Sequence, residues 1–415
     1  MSLQAGNASH EAIPIMQKDW FPLLKLQYEA NKHLLLPVLV ASFVLYVSLV
    51  RVLRYRTLNS LNRRFGTDDA KLHQMSLEEA QEIISIASQW EYPHGYQAAL
   101  QFALFRSYGI PTISKQFCST AQLSDVKTAG KRFADTGALI GEWLVNSIFA
   151  PRSCKAIART TWLHRQYRIR PDDLLFTIST FITEPPKFVD RFEWRPMARC
   201  EVIAGFVLWK EIGRRMDIPQ VPDTYQEVCD WALEHEKKHM VPAQTNTSLS
   251  HHTMSLLLLH CPGFLVNIAT EFATCLMDDR VRISMSYEAP RPWVRRTFLT
   301  LVWLRKQFVS WLLLPRSSKM IPVFPSENEH GKLNLRYYTA QPWYVKENFW
   351  NQWGPSALVA RVIGLPIPSK EWLSDGYHIE QVGPTKFEQK GVKETVAIAS
   401  EWQDEKRAKS LCPFA

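Results

Sequence analysis

Two stretches of this chain could hold a metal, and both turn on histidine. In the first, Arg132, Thr136, Leu139 and Trp143 recur at spacings of four, three and four, which places them on one face of a helix. His164 follows among apolar and aromatic neighbours in ARTTWLHRQYR. A single imidazole opposite a polar and aromatic helix face is what an axial haem ligand requires, with a second helix closing the distal side. A core histidine satisfied by its neighbours has the same local sequence, so the residues by themselves leave both readings open. The second stretch, His235-Glu236-Lys237-Lys238-His239, is a literal HExxH. On a helix its histidines share a face, and the glutamate could activate a zinc-bound water as in a metallopeptidase. Two ammonium groups beside a dication weaken that reading, and Glu271 is the best third ligand on offer. A solvated helix face accounts for the same five residues.

The elements that must position these residues read as helices. Ser76-Leu77-Glu78-Glu79 is a capping box opening a helix to about Trp90. Pro93 and Gly95 break it, and Tyr96 to Tyr108 forms another that ends at Gly109-Ile110-Pro111. Helices over 127–147 and 153–168 carry the first candidate site. Pro171, Asp172 and Asp173 start a helix through Thr183 that Pro185-Pro186 should stop, and Met197 to Met216 forms the next. A second capping box runs from Thr224 to Glu227. Alternation of the strand type is scarce and no repeat is present, so the fold class is all-α.

Composition bounds the function classes. With 46% hydrophobic and 12% aromatic residues the 415-residue chain can bury a sizeable core. Its formal charge of +9 does not sit in any nucleic-acid motif; basic clusters flank apolar segments, and the bilayer surface is the expected anionic partner, with no nucleic acid. Leu34 to Val50 is seventeen residues without a charge, extended by Val52 and Leu53 past Arg51, long enough to span if the arginines snorkel. Arg51, Arg54, Arg56, Arg63 and Arg64 after the span outnumber Lys18, Lys25 and Lys32 before it, which orients the body to the cytosol. Asn7 then opens a lumenal glycosylation sequon; Asn246 opens another that would stay bare in a cytosolic body. Seven cysteines without paired spacing suit a reducing compartment. The expected organisation is a lumenal N-terminus over 1–33, a transmembrane helix over 34–53, a basic linker over 54–70, a helical catalytic domain over 71–386 and a charged tail over 387–415, expected as a surface helix or partly ordered. The helix over 292–316 is apolar with Arg295 and Lys306 on one face, which fits either a bilayer-interface helix or an amphipathic core helix.

Other chemistries fail on their residues. The chain has no GxGxxG, P-loop or GxSxG. Asp278-Asp279 lacks a second carboxylate cluster for magnesium and reads as part of a salt-bridge network with Arg280 and Arg282. His251-His252 falls in a stretch read as a polar loop, and Cys261 does not stand in a haem-thiolate ligand loop.

The wording QFALFRSYGIPTIS (101–114), RFADTGALIGEW, ARTTWLH and MDDRVR (277–282) resembles the MpaB-type ER-bound oxygenases of fungal mycophenolic-acid biosynthesis and, more distantly, the latex-clearing rubber oxygenases. The resemblance runs from about the membrane segment to GYHIEQVGPTKFEQKG. It implies a globin-like helical core with one haem b that uses O2 to cleave a C=C bond in the prenyl chain, for example farnesyl, of a meroterpenoid-type intermediate. It also implies a single-pass protein of the endoplasmic reticulum, with a hydrophobic prenylated substrate drawn from the bilayer and other pathway enzymes as possible neighbours. By similarity, His164 matches the proximal iron ligand of the R-x-x-x-x-H wording that begins at Arg159, and Arg132, Asp135 and Thr136 are the distal catalytic candidates, Asp135 as a base. Rubber oxygenases carry a lysine three residues after the arginine; here that position is Asp135, so the distal lysine is absent. The alternatives are a zinc metallopeptidase using 235–239 and a non-catalytic, membrane-anchored haem-binding or scaffold protein.

Overall fold

A computed structural model of the protein describes residues 20–120, 126–316, 327–336, 338 and 340–411. Helices and connecting loops build these residues; the isolated bridges Leu333–Tyr377 and Leu335–Val345 are the extended pairings found among them. The all-α expectation holds. Asn7 lies outside the described residues.

Helix α1 (Trp20–Phe65) carries the apolar run, and among the described residues it is the one helix long and apolar enough to cross a membrane. Its side chains stay largely exposed from Leu34 to Leu49, whereas Val50 is fully buried, so the helix leaves the protein body just before that point. The stretch expected as a linker continues as helix to Phe65. Arg54 donates to the carbonyls of Leu313 (2.8 Å) and Leu314 (3.2 Å), and Leu61 joins the core, which gives this basic segment partners.

After the single turn α2 (Asp69–Leu72), α3 (Leu77–Ile86) starts at the expected capping box, with reciprocal bonds of 3.2 and 3.0 Å between Ser76 and Glu79, and runs into a π-helical turn at Ala87–Glu91. Pro93 opens α4 (Pro93–Ser107) at its first position, where a missing N–H costs nothing. Next come α5 (Pro111–Ser119), α6 (Val126–Val145) and α7 (Pro151–Arg165). Helix α8 (Pro171–Phe192) does not stop at Pro185-Pro186. Two ladder bonds are lost there, yet the helix is held between α4, α9 (Arg199–Arg215) and α10 (Tyr225–His239), so packing outweighs the local break. Trp209 of α9 is fully buried in this core, stacked on Phe181 at 4.7 Å with Trp143 edge-on at 5.9 Å.

The C-terminal half adds α11 (Gln244–Leu257), α12 (Val266–Thr274), α13 (Asp279–Ser284), α14 (Pro292–Leu312), α15 (Phe349–Trp353), α16 (Pro355–Val362) and α17 (Val392–Leu411). His251 and His252 are exposed on α11 rather than in a loop. Asn246 is fully buried, its amide donating to the carbonyls of Gly109, Val241 and Ser284, a placement closed to glycosylation of the folded chain. The described part of the charged tail packs on the body: α17 runs along α7, with Thr395 buried and Ala399 packed against Cys154 and Ala158.

Candidate functional site

Helices α6 and α7 face one large cavity of about 740 Å³, whose remaining walls come mainly from α4, α5 and α8, with Ser88 of the π-helical turn, Trp209 of α9, Leu256 of α11, and Leu335 and Trp343. That volume is in the range of small-molecule and cofactor sites. Arg132, Thr136, Leu139 and Trp143 all line it, so the face drawn from their spacing is the face the fold uses. His164 lines it from α7 and is the one histidine in its wall among the described residues.

His164 has no hydrogen-bond partner for its ring among the described residues; Nδ1 is buried and unpaired. Enclosure by protein pulls its pKa from the ordinary 6.5 down to about 4, and the nearby Arg132 charge adds to the effect. The ring is therefore neutral at physiological pH, the form a metal binds. The Arg132 guanidinium has no ion-pair or hydrogen-bond partner among the described residues; it faces the Phe117 ring, 5.9 Å from the guanidinium carbon. Thr136 donates its hydroxyl proton to the Arg132 carbonyl at 2.9 Å, which leaves its oxygen lone pairs free to accept. A Cβ at Gly137 would meet nothing within 4 Å, so α6 offers a bare backbone to the cavity at this point. Trp143 Nε1 and Ser88 Oγ are further buried polar atoms of the wall without protein partners. The Tyr108 hydroxyl, pushed up to about 12 by burial, stays protonated.

Asp135 is placed differently. It is buried but does not line the cavity; its carboxylate accepts from the Tyr344 hydroxyl at 2.7 Å and from Lys131 at 3.1 Å. Burial drives its pKa up while those two donors oppose the rise. Lys131 also donates to the Gly383 carbonyl at 2.8 Å and pairs with Glu388 at 3.0 Å, so this lysine serves the wall's outer side and does not reach the cavity. Tyr344 lies 209 positions away and no spacing pointed to it. The Lys131–Asp135 pair, one helical turn apart, was visible in the sequence.

Arg159, the first residue of the R-x-x-x-x-H wording, is fully buried and donates to the carbonyls of Val382 (2.8 Å), Phe387 (2.8 Å) and Lys390 (2.6 Å). It ties the 382–390 strap to the helix that carries His164. Gly391 ends the strap at φ +71°, where a Cβ would fall 2.0 Å from the Trp162 ring, so glycine alone fits.

The HExxH residues form no metal site. Glu236 is buried and gives both carboxylate oxygens to Arg106, at 2.6 and 2.8 Å, in a cluster with Glu184, Asp278 and Arg280. His235 is stacked between Trp231 (4.9 Å) and Phe176 (5.0 Å). Glu271 pairs with Arg291 at 2.7 Å. The five residues are therefore neither a zinc cage nor a wholly solvated face; Lys237 and Lys238 alone match the latter. Asp278 caps α13 through the Val281 N–H and pairs with Arg106, in keeping with the salt-bridge reading.

Among the described residues no three His, Cys, Asp or Glu side chains gather into a metal-holding group. A neutral, unpartnered imidazole in a roomy and mostly apolar chamber, beside an unpaired cation and a bare stretch of helix, fits a planar cofactor that brings its own equatorial nitrogens.

No family model matches the chain. It is 34% identical over 401 residues to the ER-bound oxygenase mpaB' of Penicillium brevicompactum, covering 91% of this chain and 94% of that protein. It is 31% identical over 352 residues to the ER-bound oxygenase mpaB of the same species, covering 80% and 83%. It is 36% identical over 265 residues to the ER-bound oxygenase mpaB of Penicillium roqueforti (strain FM164), covering 60% and 89%.

Proposed function

The chain belongs to the mpaB-type family of ER-bound oxygenases, and from that premise we propose that it is a haem-dependent oxidoreductase using O2 to cleave a C=C bond in the prenyl chain of a meroterpenoid-type intermediate. Membership in that family supports an oxygenase. The observation that carries the haem reading is the neutral, unpartnered His164 in the wall of the large cavity. Haem b bound there would supply an iron that takes up O2 and the redox capacity that side chains lack.

The chain's own residues do the rest. His164 offers a nitrogen for which protons do not compete above about pH 4. Arg132 holds an unpaired positive charge at the cavity, suited to a propionate or to negative charge developing on oxygen. Thr136 turns acceptor lone pairs toward the same space, and the apolar wall excludes water from a greasy substrate. Asp135, expected as a base, stands behind the wall, and we assign it a positioning role: it holds Lys131 and Tyr344, and through Lys131 the strap at Gly383.

We further place the protein in the endoplasmic-reticulum membrane, α1 spanning once, the body in the cytosol and Asn7 glycosylated in the lumen. A prenylated substrate partitions into the same bilayer. The deciding experiment is an absorption spectrum with a metal assay on detergent-purified full-length protein. Near-stoichiometric haem with a Soret band, lost in His164→Ala, is expected. Stoichiometric zinc without a Soret band would sink the proposal, as would a His164→Ala protein keeping the wild-type band.

A further inference from the structure

Helix α14 has its polarity inside out. Its mid-helix cations turn toward the protein: Arg305 bonds the Glu193 carboxylate at 2.9 Å and the Phe192 carbonyl at 3.1 Å, and Lys306 bonds the Asp190 carbonyl at 2.8 Å, all at the end of α8. Its large apolar side chains turn outward instead, with Leu301, Trp303, Leu304 and Phe308 each about half exposed. Only Val294 and Ser310 are buried in this 21-residue helix. A core helix would show the reverse, and a water-facing helix would not present tryptophan, leucine and phenylalanine in a row.

The outward face is continuous with the membrane segment. Leu304, Phe308 and Trp311 share a groove with Phe43 and Val47 of α1. The Tyr46 hydroxyl donates to the Leu312 carbonyl at 2.8 Å, and Arg51 sits over the Trp311 ring at 4.2 Å. Phe43 lies eight residues before Arg51, about 12 Å along a helix. If α1 spans with its arginines at the headgroups, the part of α14 that touches Phe43 is already at acyl-chain depth.

We infer that α14 is a second lipid-contacting element, with the Leu301–Leu304–Phe308–Trp311 face immersed in the cytosolic leaflet beside α1. The inference rests on α1 being the membrane anchor. Two helices side by side in one leaflet would hold the body in one orientation on the membrane, which a single span cannot do.

The test uses full-length protein in phosphatidylcholine vesicles containing a phospholipid with a photoreactive diazirine in its acyl chain. Trypsin separates the relevant segments as 33–51 from α1, and 297–305 and 307–316 from α14. Label is expected on all three, within a few-fold of one another, and concentrated on Leu301, Leu304, Phe308 and Trp311. Leu304→Glu with Phe308→Glu should cut labelling of the α14 peptides several-fold and leave 33–51 labelled. Label on 33–51 alone would overturn the inference while keeping α1 as anchor. Absence of label from all three would remove the anchor as well. Unlabelled α14 peptides cross-linked to a second copy would make the face a dimer contact and overturn the lipid assignment.

Discussion

Two helices in this chain carry a histidine whose local sequence invites a metal, and the fold treats them in opposite ways. On α10 the motif is complete as a string, yet its glutamate is taken by Arg106, and His235, whose buried Nε2 is also unpartnered, is packed between two aromatic rings and does not line the cavity. On α7 a lone His164 has no motif of its own beyond the family wording, yet its ring is left without a partner in the wall of a cavity of about 740 Å³. The difference lies in what surrounds each ring. Metal chemistry needs an available lone pair and space for the metal's other ligands. Spacing along a helix decides only which residues share a face.

The largest expected effect separates the two helices outright. His164→Ala should remove stable haem binding and turnover, while His239→Ala should leave haem content and rate within about two-fold of wild type, as expected of a residue outside the site. Haem loss on changing His239 would reverse the comparison.

The next effect is on stability rather than chemistry. Arg106 neutralises Glu236, Glu184 and Asp278 inside the protein, so Arg106→Met strands buried carboxylates and should cost about 3–5 kcal/mol. Denaturant unfolding would measure it. A loss under about 1 kcal/mol would mean that water reaches the cluster and that Glu236 is less committed than its two short bonds imply. For the same reason, Glu236→Ala would destabilise the protein without any zinc being involved.

How much of this was legible follows from range. The helices, the two capping boxes and the face holding Arg132, Thr136, Leu139 and Trp143 rest on interactions within a few residues, and periodicity reports those well. Helix α8 runs through Pro185-Pro186 against the local signal, because its persistence comes from α4, α9 and α10, not from local preference. The placement of Asp135 was equally hidden. It shares a helix with Arg132 and Thr136, but which neighbour claims its carboxylate is settled by Tyr344 and the strap near Gly383, over two hundred residues downstream. Glu236 likewise needed Arg106, 130 residues away, to show its use. The proposed pairing of His164 with a cofactor came from the resemblance, because no interaction within range of the sequence points to it.

Asp135→Asn tests the placement. If the carboxylate acts by position, the amide still accepts from Tyr344, haem stays bound, and stability falls by about 1–2 kcal/mol through the weakened Lys131 contact. Turnover should then drop only a few-fold, and kcat against pH should keep its shape. A loss of a hundred-fold or more at full haem occupancy would be the size expected for a general base, and would return that role to Asp135.

The smallest effect is a pH dependence that belongs to α10. Burial between Trp231 and Phe176 holds the His235 pKa near 4 against the ordinary 6.5, with the neighbouring His239 adding to the depression. Above pH 6.5 the imidazole is neutral in the folded and unfolded chains and contributes no slope. Between pH 6.5 and 4 the unfolded chain takes up a proton that the folded one refuses, so stability falls with pH across that window and levels off below it. His235→Phe keeps the aromatic stack and removes the titration, so the variant should lose less stability than wild type over the same window. Comparing the two proteins cancels the contribution of His164, which has the same sign in haem-free protein. Equal slopes would show that His235 takes up its proton in the folded state near the ordinary pH. The ring would then be solvated enough to bind a metal, and the contrast between α10 and α7 would narrow.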